Sequence, residues 1–543
     1  MKIFAPHATD FYKVSHKFQY PPGTTEVYSN FTCRSAKWAD VLPDFDGKVV
    51  FFGLQGVVQW LLIDLWNDSF FSKPKDQVVA RYKRRMDRAL GVGAVPVDHI
   101  AALHDLGYLP IELKALPEGS RVNMRVPLWT IRNTKPEFFW ITNYLETQLS
   151  AECWKSITSA TTAFEYRRML EQFAELTGSP VAFVPWQGHD FSARGMSGIS
   201  DGVTSGAAHL LSFTGTDTVA ALDYLEDYYF GGDAPDTFLG GSVPATEHSV
   251  MCLGGEDDEI GTIRRLITEA YPSGIVSVVS DTWDFWRTIS EHALTLRNEI
   301  MARKPDALGF AKVVFRPDSG DPVKILCGSA LPISSFDSWE LEKAQELGYE
   351  FVRIGDAFFQ MVMGAHGPAR PTPVKPTPEM KGAVEVLWEI FGGVYTDAGY
   401  KLLDSHVGLI YGDSINLKRG NDILVRLAAK GFASANIVFG IGSFTYQHAT
   451  RDTFGTAIKA THGVVNGEDR PMFKAPKTDD GVKNSARGYL RVEKVGDDFV
   501  LHENQTREEE AQGELRTILR DGIAYGFESI ETIRGRLLRP FAG

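Results

Sequence analysis

Between about residue 180 and residue 455 the chain repeats one pattern. A short apolar run rich in Val, Ile or Phe ends in Gly, Asp or Ser, and a segment with helical spacing of apolar positions often follows. "LLSFTGTDTVAALDYLEDYY" (Leu210 to Tyr229), "IVSVVSDTWDFWRTISEHAL" (Ile275 to Leu294) and "AKVVFRPDSGDP" (Ala311 to Pro322) are three such units. "VGLIYGDSINLKRGNDILVRLAAKG" (Val407 to Gly431) and "ANIVFGIGSFTYQHATRDTF" (Ala435 to Phe454) are two more. Strands alternating with helices predict a parallel sheet, and continuous apolar strands predict one buried on both faces. The polar residues cluster where the strands end, which is where a (β/α) barrel carries its chemistry. An open doubly wound sheet gives a similar pattern.

Outside this region the pattern changes. Residues 1–179 mix helical spacing with strand-like pieces such as "LPIELKALPEG" (Leu109 to Gly119) and "VPLWTIRNT" (Val126 to Thr134), an α+β character. Residues 455–543 are again mixed. The greasiest run, Val49 to Trp66, is interrupted by Gln55, Gln59 and Asp64, so it predicts a buried amphipathic helix and no membrane span. Within the alternating region a Pro-rich stretch at about 328–395, with "AHGPARPTPVKPTPEMKG" at its centre, reads as a partly ordered insertion.

Composition narrows the function. The 543 residues carry a net charge of −13, which argues against a surface dedicated to nucleic acid or anionic lipid and leaves room for a local basic pocket. Cys33, Cys153, Cys252 and Cys327 show neither zinc-ligand spacing nor a disulfide framework, and the N-terminus has no signal-peptide pattern. A cytoplasmic protein is expected.

The strand-end loops hold the candidate chemistry. "FRPDSGDP" offers Arg316 and Asp318 on a glycine turn; a plain structural ion pair is the alternative reading. "GTDT" sets Asp217 before a helix, where it serves equally as a cap. "YGDS" (Tyr411 to Ser414) and "FGIGS" (Phe439 to Ser443) have the glycine content of phosphate-cradling turns, or simply of tight turns. Phe191 and Arg194 in "GHDFSARG" pair an aromatic face with a guanidinium. "SVPATEHS" (Ser242 to Ser249) ends with Glu247 beside His248, and taken alone His248 reads as an ordinary strand-end histidine.

These motifs, in this order, together with "TDFYKVSHKFQYPPGTTEVYSNFTCR" (Thr9 to Arg34), "SVVSD", "TRD", "VVNG" and the "FK" at Lys474, resemble the nicotinamide phosphoribosyltransferase family, type II phosphoribosyltransferases of NAD salvage. The resemblance covers nearly the whole chain outside the insertion. It implies a (β/α) barrel-like domain at 180–454 and an α+β domain assembled from the N- and C-terminal parts of the chain. It also implies synthesis of nicotinamide mononucleotide and pyrophosphate from nicotinamide and 5-phosphoribosyl 1-pyrophosphate. Mg²⁺ accompanies the diphosphate, and ATP is a co-substrate acting through a phosphohistidine.

By that resemblance His248 is the phosphorylated residue, oriented by Glu247 and Asp281. Nicotinamide lies between Phe191 and Tyr12 of a second subunit, near Arg194 and Ser277, with its carboxamide on Asp217. Asp318, Gly412 and Asp413 hold the ribose, while Arg316, Ser242 and the Gly442–Ser443 turn meet the phosphate. Arg34, Arg451, Lys459 and Lys474 receive pyrophosphate across the interface of a homodimer. No protein side chain is assigned as a metal ligand. Two departures stand out: Ile441, Ser443 and Phe444 intrude in a loop that is usually richer in glycine, and Ser414 stands where the family commonly has glycine. A carboxylate at Asp217 attracts an amide and repels nicotinic acid. The alternatives are a nicotinate-using enzyme of the same fold, a barrel hydrolase or lyase using Asp281 and Asp318, and a non-catalytic nicotinamide- or nucleotide-binding protein.

Overall fold

The structure, a computed structural model, describes residues 2–229, 237–364, 367–474 and 485–541. The apolar runs form a six-stranded sheet. Its strands are, in spatial order, Gly215–Thr216, Gly188–Asp190, Ile437–Ile441, Val407–Tyr411, Val313–Arg316 and Val276–Val279, every neighbouring pair parallel. Val276–Val279 and Val407–Tyr411 are buried at every position, as a sheet covered on both faces requires.

The two edges of this sheet meet on one segment. Thr216 N donates to Gly241 O at 3.0 Å on one side; on the other, Ser277 N donates to Pro244 O at 2.8 Å and Thr246 N to Ser277 O at 2.9 Å. "SVPATEHS" is therefore the strip that joins the first and last strands, and its end is delivered to the same rim as the other strand-end loops.

The chain ends build a second layer. Glu468–Pro471, Ala457–Val465, Thr24–Thr32, Pro127–Asn133, Ile111–Ala115, Arg516–Arg520 and Ile523–Ala524 lie in that order in a seven-stranded antiparallel sheet. A helix of 32 residues, Glu146–Thr177, is buried along most of its length. It packs on the Lys48–Val50 strand and also on the Ile199–His209 helix that follows the Gly188–Asp190 strand. The Val49 to Trp66 run differs from expectation. It begins as strand, because Lys48–Val50 pairs with Arg121–Asn123, and becomes helical only from Leu54, with π-type turns over Val58–Leu65. No helix among the described residues is long and apolar enough to cross a membrane, and all four cysteines are free.

The Pro-rich stretch is more ordered than its composition predicts. Apart from residues 365 and 366, which lie outside the described residues, it forms Gly367–Val374. That is the edge strand of a four-stranded sheet completed by Ala330–Pro332, Phe351–Ile354 and Ala357–Gly364. Pro371 and Pro373 sit two residues apart opposite Met361 and Phe359. Spaced by two on an edge strand, they turn the same side of the backbone outward, where a missing N–H breaks no ladder bond.

Candidate active site

The strand alternation that buries apolar residues also gathers the polar ones. His189 and Phe191 are two apart at the end of one strand and so share a face; their rings are 4.9 Å apart. Phe191 N donates to Ile441 O at 3.0 Å. The ring lies so close to the next two strand ends that a Cβ on Gly440 would stand 2.4 Å from it, and one on Gly412 would stand 3.4 Å from it. Glycine at Gly440 and Gly412 is thus what lets an aromatic ring sit at this rim. Gly412 is also close to Asp318, whose Oδ1 would be 2.8 Å from such a Cβ.

Asp217 is fixed from two elements. Its Oδ1 accepts from His189 Nε2 at 2.8 Å and from Ser242 Oγ at 2.7 Å, and Asp217 N donates to Asp190 O at 2.9 Å. Asp190, fully buried, in turn accepts from Thr218 Oγ1 at 2.6 Å and from Ser192 N at 2.9 Å. Burial alone would raise the Asp217 carboxyl. The hydrogen bonds from His189 and Ser242 and the Arg316 charge outweigh it and hold the group below the usual aspartate value. Oδ2 accepts no bond from the described residues and stays open to a ligand.

Around Arg316 the carboxylates converge. Arg316 Nη2 donates to Thr246 O at 2.5 Å, and its Nε is buried without a partner. Burial lowers the guanidinium's pKa, with Asp318, Asp217 and Asp281 pulling the other way, and arginine remains charged. Asp281 Oδ2 accepts from Asp318 N at 3.0 Å and from Ser319 Oγ at 2.5 Å, while its Oδ1 is buried and unpartnered. Burial, together with Asp281 and Asp413, pushes the Asp318 carboxyl up despite Arg316. Tyr411 OH secures the loop by donating to Ser319 O at 2.9 Å and Gly320 O at 3.0 Å. Ser277 Oγ is a further buried group with no partner. Three unpartnered polar atoms on two adjacent strands and the loop after one of them are costly in a finished core and natural in a site that awaits a polar ligand.

His248 opens a short helix, His248–Gly254, with a side chain 48 % exposed. Its Nδ1 is 3.0 Å from Thr282 Oγ1, and its Nε2 is 3.9 Å from Asp281 Oδ1. Of the two residues expected to orient it, the structure brings Asp281 near the ring and turns Glu247 elsewhere. The Glu247 carboxylate instead accepts from Ser249 Oγ, because the helix begins at this residue and turns its side chain back along the first turn. Thr282 takes the orienting contact, and nothing in its sequence surroundings marked it.

The cations fall together on the antiparallel layer. Arg34 Nε donates to Gly455 O at 2.8 Å, beside the turn that carries Arg451. Burial lowers the Lys459 pKa; Glu146 opposes this, and Arg34, Lys13 and Lys474 add to it, which shows how closely these charges sit. Lys13 and Glu146, both paired there, were not singled out from the sequence. Arg451 is exposed and pairs with Asp452 at 3.3 Å. Tyr12 is 59 % exposed on the Phe11–Phe18 turn, where its ring meets His16 and Lys13; within this chain it does not join Phe191. Arg194 is exposed and close enough to Arg316 for their charges to act on each other. Asp413 is likewise near Asp318. Ser414 takes φ +50°, the left-handed conformation glycine favours, which explains why a glycine suits that position. Ser443 starts the four-residue helix Ser443–Tyr446 after Gly442. A cavity of about 860 Å³ abuts that turn through Phe444 and Thr445 and is lined by none of the residues assigned a site role from the sequence. Among the described residues no group of three or more His, Cys, Asp or Glu is placed to hold a metal ion.

Comparison with known proteins matches this arrangement. The chain resembles the crystal structure of nicotinate-nucleotide pyrophosphorylase from Pyrococcus furiosus, with a TM-score of 0.52, 14 % identity, and 99 % and 95 % of the two chains covered. It also resembles human nicotinic acid phosphoribosyltransferase, with a TM-score of 0.50, 16 % identity and 98 % and 93 % coverage. At such identities the likeness is one of fold. The model of the nicotinate phosphoribosyltransferase (NAPRTase) family matches residues 186–522, and that of the nicotinamide phosphoribosyltransferase N-terminal domain matches residues 5–79. The two family models thus define the class, a phosphoribosyltransferase of the nicotinate and nicotinamide type. A nicotinamide phosphoribosyltransferase of Acinetobacter baylyi is 56 % identical over 531 residues, 98 % of this chain and 96 % of that protein. One of Xanthomonas campestris is 32 % identical over 487 residues, 89 % and 86 %. The chain belongs to the nicotinamide phosphoribosyltransferase family.

Proposed function

We propose that this protein transfers the phosphoribosyl group of 5-phosphoribosyl 1-pyrophosphate to nicotinamide, giving nicotinamide mononucleotide and pyrophosphate for NAD salvage. The observation that carries the choice of substrate is Asp217. Its Oδ1 is occupied by His189 and Ser242, so Oδ2 faces a ligand as an acceptor held ionised. An amide N–H₂ satisfies that oxygen, whereas the carboxylate of nicotinic acid meets a like charge.

The remaining roles are those the family resemblance implies. Phe191 supplies one face for the pyridine ring, with Ser277 and Arg194 at its edge. Tyr12, exposed on its own chain, supplies the other face from a second copy in a homodimer. Stacking holds the ring nitrogen in line with the anomeric carbon, which is catalysis by position. Asp318, Asp413 and Gly412 hold the ribose as positive charge develops on it. Arg316 and the Gly442–Ser443 turn take the 5′-phosphate, and Arg34, Lys459, Lys474 and Arg451 stabilise the leaving diphosphate. Mg²⁺ arriving with that diphosphate would supply further charge neutralisation; Asp281, with a buried unpartnered oxygen, and Asp318 are the carboxylates that would stand nearest it. We read the parallel sheet as a barrel closed through residues 241–246, with Phe191, Asp217, Arg316, Asp318, Gly412 and Asp413 on its rim and the cations facing it from the antiparallel layer.

His248 is read as the residue that takes the terminal phosphoryl group of ATP, a ring nitrogen forming the P–N bond as ADP leaves. Its exposure admits the nucleotide, and Thr282 and Asp281 set the ring. The test is pyrophosphate release by the purified protein with 5-phosphoribosyl 1-pyrophosphate and Mg²⁺, offering nicotinamide and nicotinic acid separately, with and without ATP. Release with nicotinamide alone, increased by ATP, is expected; release only with nicotinic acid refutes the role of Asp217.

A further inference from the structure

The turn assigned to the 5′-phosphate is held from beneath by one helix, and the means is unusual. Lys155, on the Glu146–Thr177 helix, is 5 % exposed. Its ammonium donates to Tyr446 O at 2.6 Å and lies 3.5 Å from Gln447 Oε1, with Asp201 Oδ1 3.8 Å away. Tyr446 closes the four-residue helix that Gly442 and Ser443 open, so the buried charge grips the carbonyl end of the very turn whose other end meets the phosphate.

Five further hydrogen bonds complete the mount. Thr445 Oγ1 donates its one proton to Ile415 O at 2.7 Å, so the Tyr166 hydroxyl, 2.9 Å away, is the donor to Thr445. This ties the Gly442 turn to the loop carrying Gly412 and Asp413. His209 Nε2 faces Gly188 O at 3.3 Å and so carries the proton, leaving Nδ1 to accept from Tyr446 OH at 2.6 Å. Gln447 Nε2 reaches Ser197 Oγ, beside the loop of Arg194.

Two of these groups, Lys155 and Tyr166, come from one helix about 48 Å long, a rigid strut under two strand-end loops. An ammonium out of water is costly to place, and a methionine or leucine would fill the same space without that cost. What lysine adds is a charge-assisted hydrogen bond of fixed direction to a turn that has only four residues to define it.

We propose that Lys155 is a positioning residue for the phosphate end of 5-phosphoribosyl 1-pyrophosphate, holding the Gly442–Tyr446 turn in its binding conformation, with Tyr166 relaying the same constraint to the Gly412–Ile415 loop. The assignment rests on the reading of the reaction given above. It separates from a merely structural role because it acts first on one substrate: the hydrogen bonds of Lys155 and Tyr166 go to the phosphate turn, and none goes to Asp217 or Phe191, the nicotinamide contacts.

The experiment is steady-state kinetics of the full chain with each substrate varied in turn, on the unaltered enzyme and on Lys155→Met, Lys155→Arg and Tyr166→Phe. Lys155→Met is expected to raise KM for 5-phosphoribosyl 1-pyrophosphate by about tenfold or more, the scale of one charged hydrogen bond. Its KM for nicotinamide should stay within about twofold. Lys155→Arg, which keeps the cation and the donor, should recover most of the loss, and Tyr166→Phe should show the same split at a smaller size. Unchanged KM values in folded Lys155→Met, or a fall in kcat alone, overturn the proposal. If Lys155→Met does not fold, an unchanged KM for 5-phosphoribosyl 1-pyrophosphate in Tyr166→Phe overturns it equally. Absence of turnover by the unaltered enzyme overturns the reaction and this assignment together, which distinguishes the two failures.

Discussion

One strip of chain serves both ends of the site and holds them in opposite ways. At Ser242 it bonds Asp217, whose Oδ1 is already held by His189 and whose backbone is tied to the buried Asp190. Six residues on it ends at His248, half exposed and steadied by Thr282 and a carboxylate 3.9 Å off. The difference matches what each group is asked to do. Asp217 must offer one oxygen in one direction, and such selectivity requires an acceptor that cannot swing away from the wrong ligand. In the proposed reaction His248 meets a nucleotide and takes a phosphoryl group, so a tightly packed ring would be a handicap.

The largest effect that would break this contrast lies at Asp217. Asp217→Asn keeps the size and removes the charge, so kcat/KM for nicotinamide should fall about 10²-fold while nicotinic acid gains. Equal losses for both substrates would show that Asp217 acts only as a loop anchor. At the other end, His248→Ala should abolish stimulation by ATP while ATP-independent turnover survives, reduced about severalfold. Transfer of label from γ-³²P-ATP to the unaltered protein, but not to this variant, checks the phosphohistidine directly.

The two ends also separate by pH. Asp217 is held below the usual aspartate value, so it remains ionised as pH falls through about 4. Asp318 is raised, chiefly by burial, and therefore takes up its proton at a higher pH. Falling pH neutralises Asp318, the carboxylate proposed to hold the ribose, first. The acid limb of kcat/KM for 5-phosphoribosyl 1-pyrophosphate should then lie above the ordinary aspartate value and persist in Asp217→Asn. The preference of the unaltered enzyme for nicotinamide over nicotinic acid should not change across it. A limb that vanishes with Asp217 would reverse the assignment.

How much of this was legible depended on whether a residue's role is written locally. The parallel sheet was, because strands buried on both faces must be continuous apolar runs and their ends are where polar residues collect. Arg316, Asp318 and Asp217 were visible for that reason. The antiparallel sheet was less so, since the partner of Thr24–Thr32 lies more than four hundred residues away in Ala457–Val465 and no local pattern records the pairing. Thr282 was invisible because a threonine after an aspartate is an ordinary loop residue until a histidine from another segment arrives. Lys155 was hidden by its setting, a polar residue on a long helix whose burial only the fold reveals. Where the Glu247 side chain goes was not legible either, because it sits at the start of a helix and its carboxylate meets Ser249. The Pro-rich stretch misled through composition; spacing its prolines by two made an edge strand of it.

The smallest change worth making tests whether the ring platform is as fixed as Asp217. In Gly440→Ala the new Cβ would sit 2.4 Å from the Phe191 ring and 2.8 Å from Gly412 Cα, so either the ring tips or the strands part. Overpacking of this kind costs about 1–3 kcal/mol, and thermal unfolding should register it. If Phe191 is a rigid half of the nicotinamide sandwich, KM for nicotinamide should rise with the loss of stability while selectivity against nicotinic acid stays high, because Asp217 and its two donors are untouched. If selectivity collapses as well, ring and carboxylate are one cooperative unit, and the pinned end of the site extends from Asp217 across His189 to Phe191.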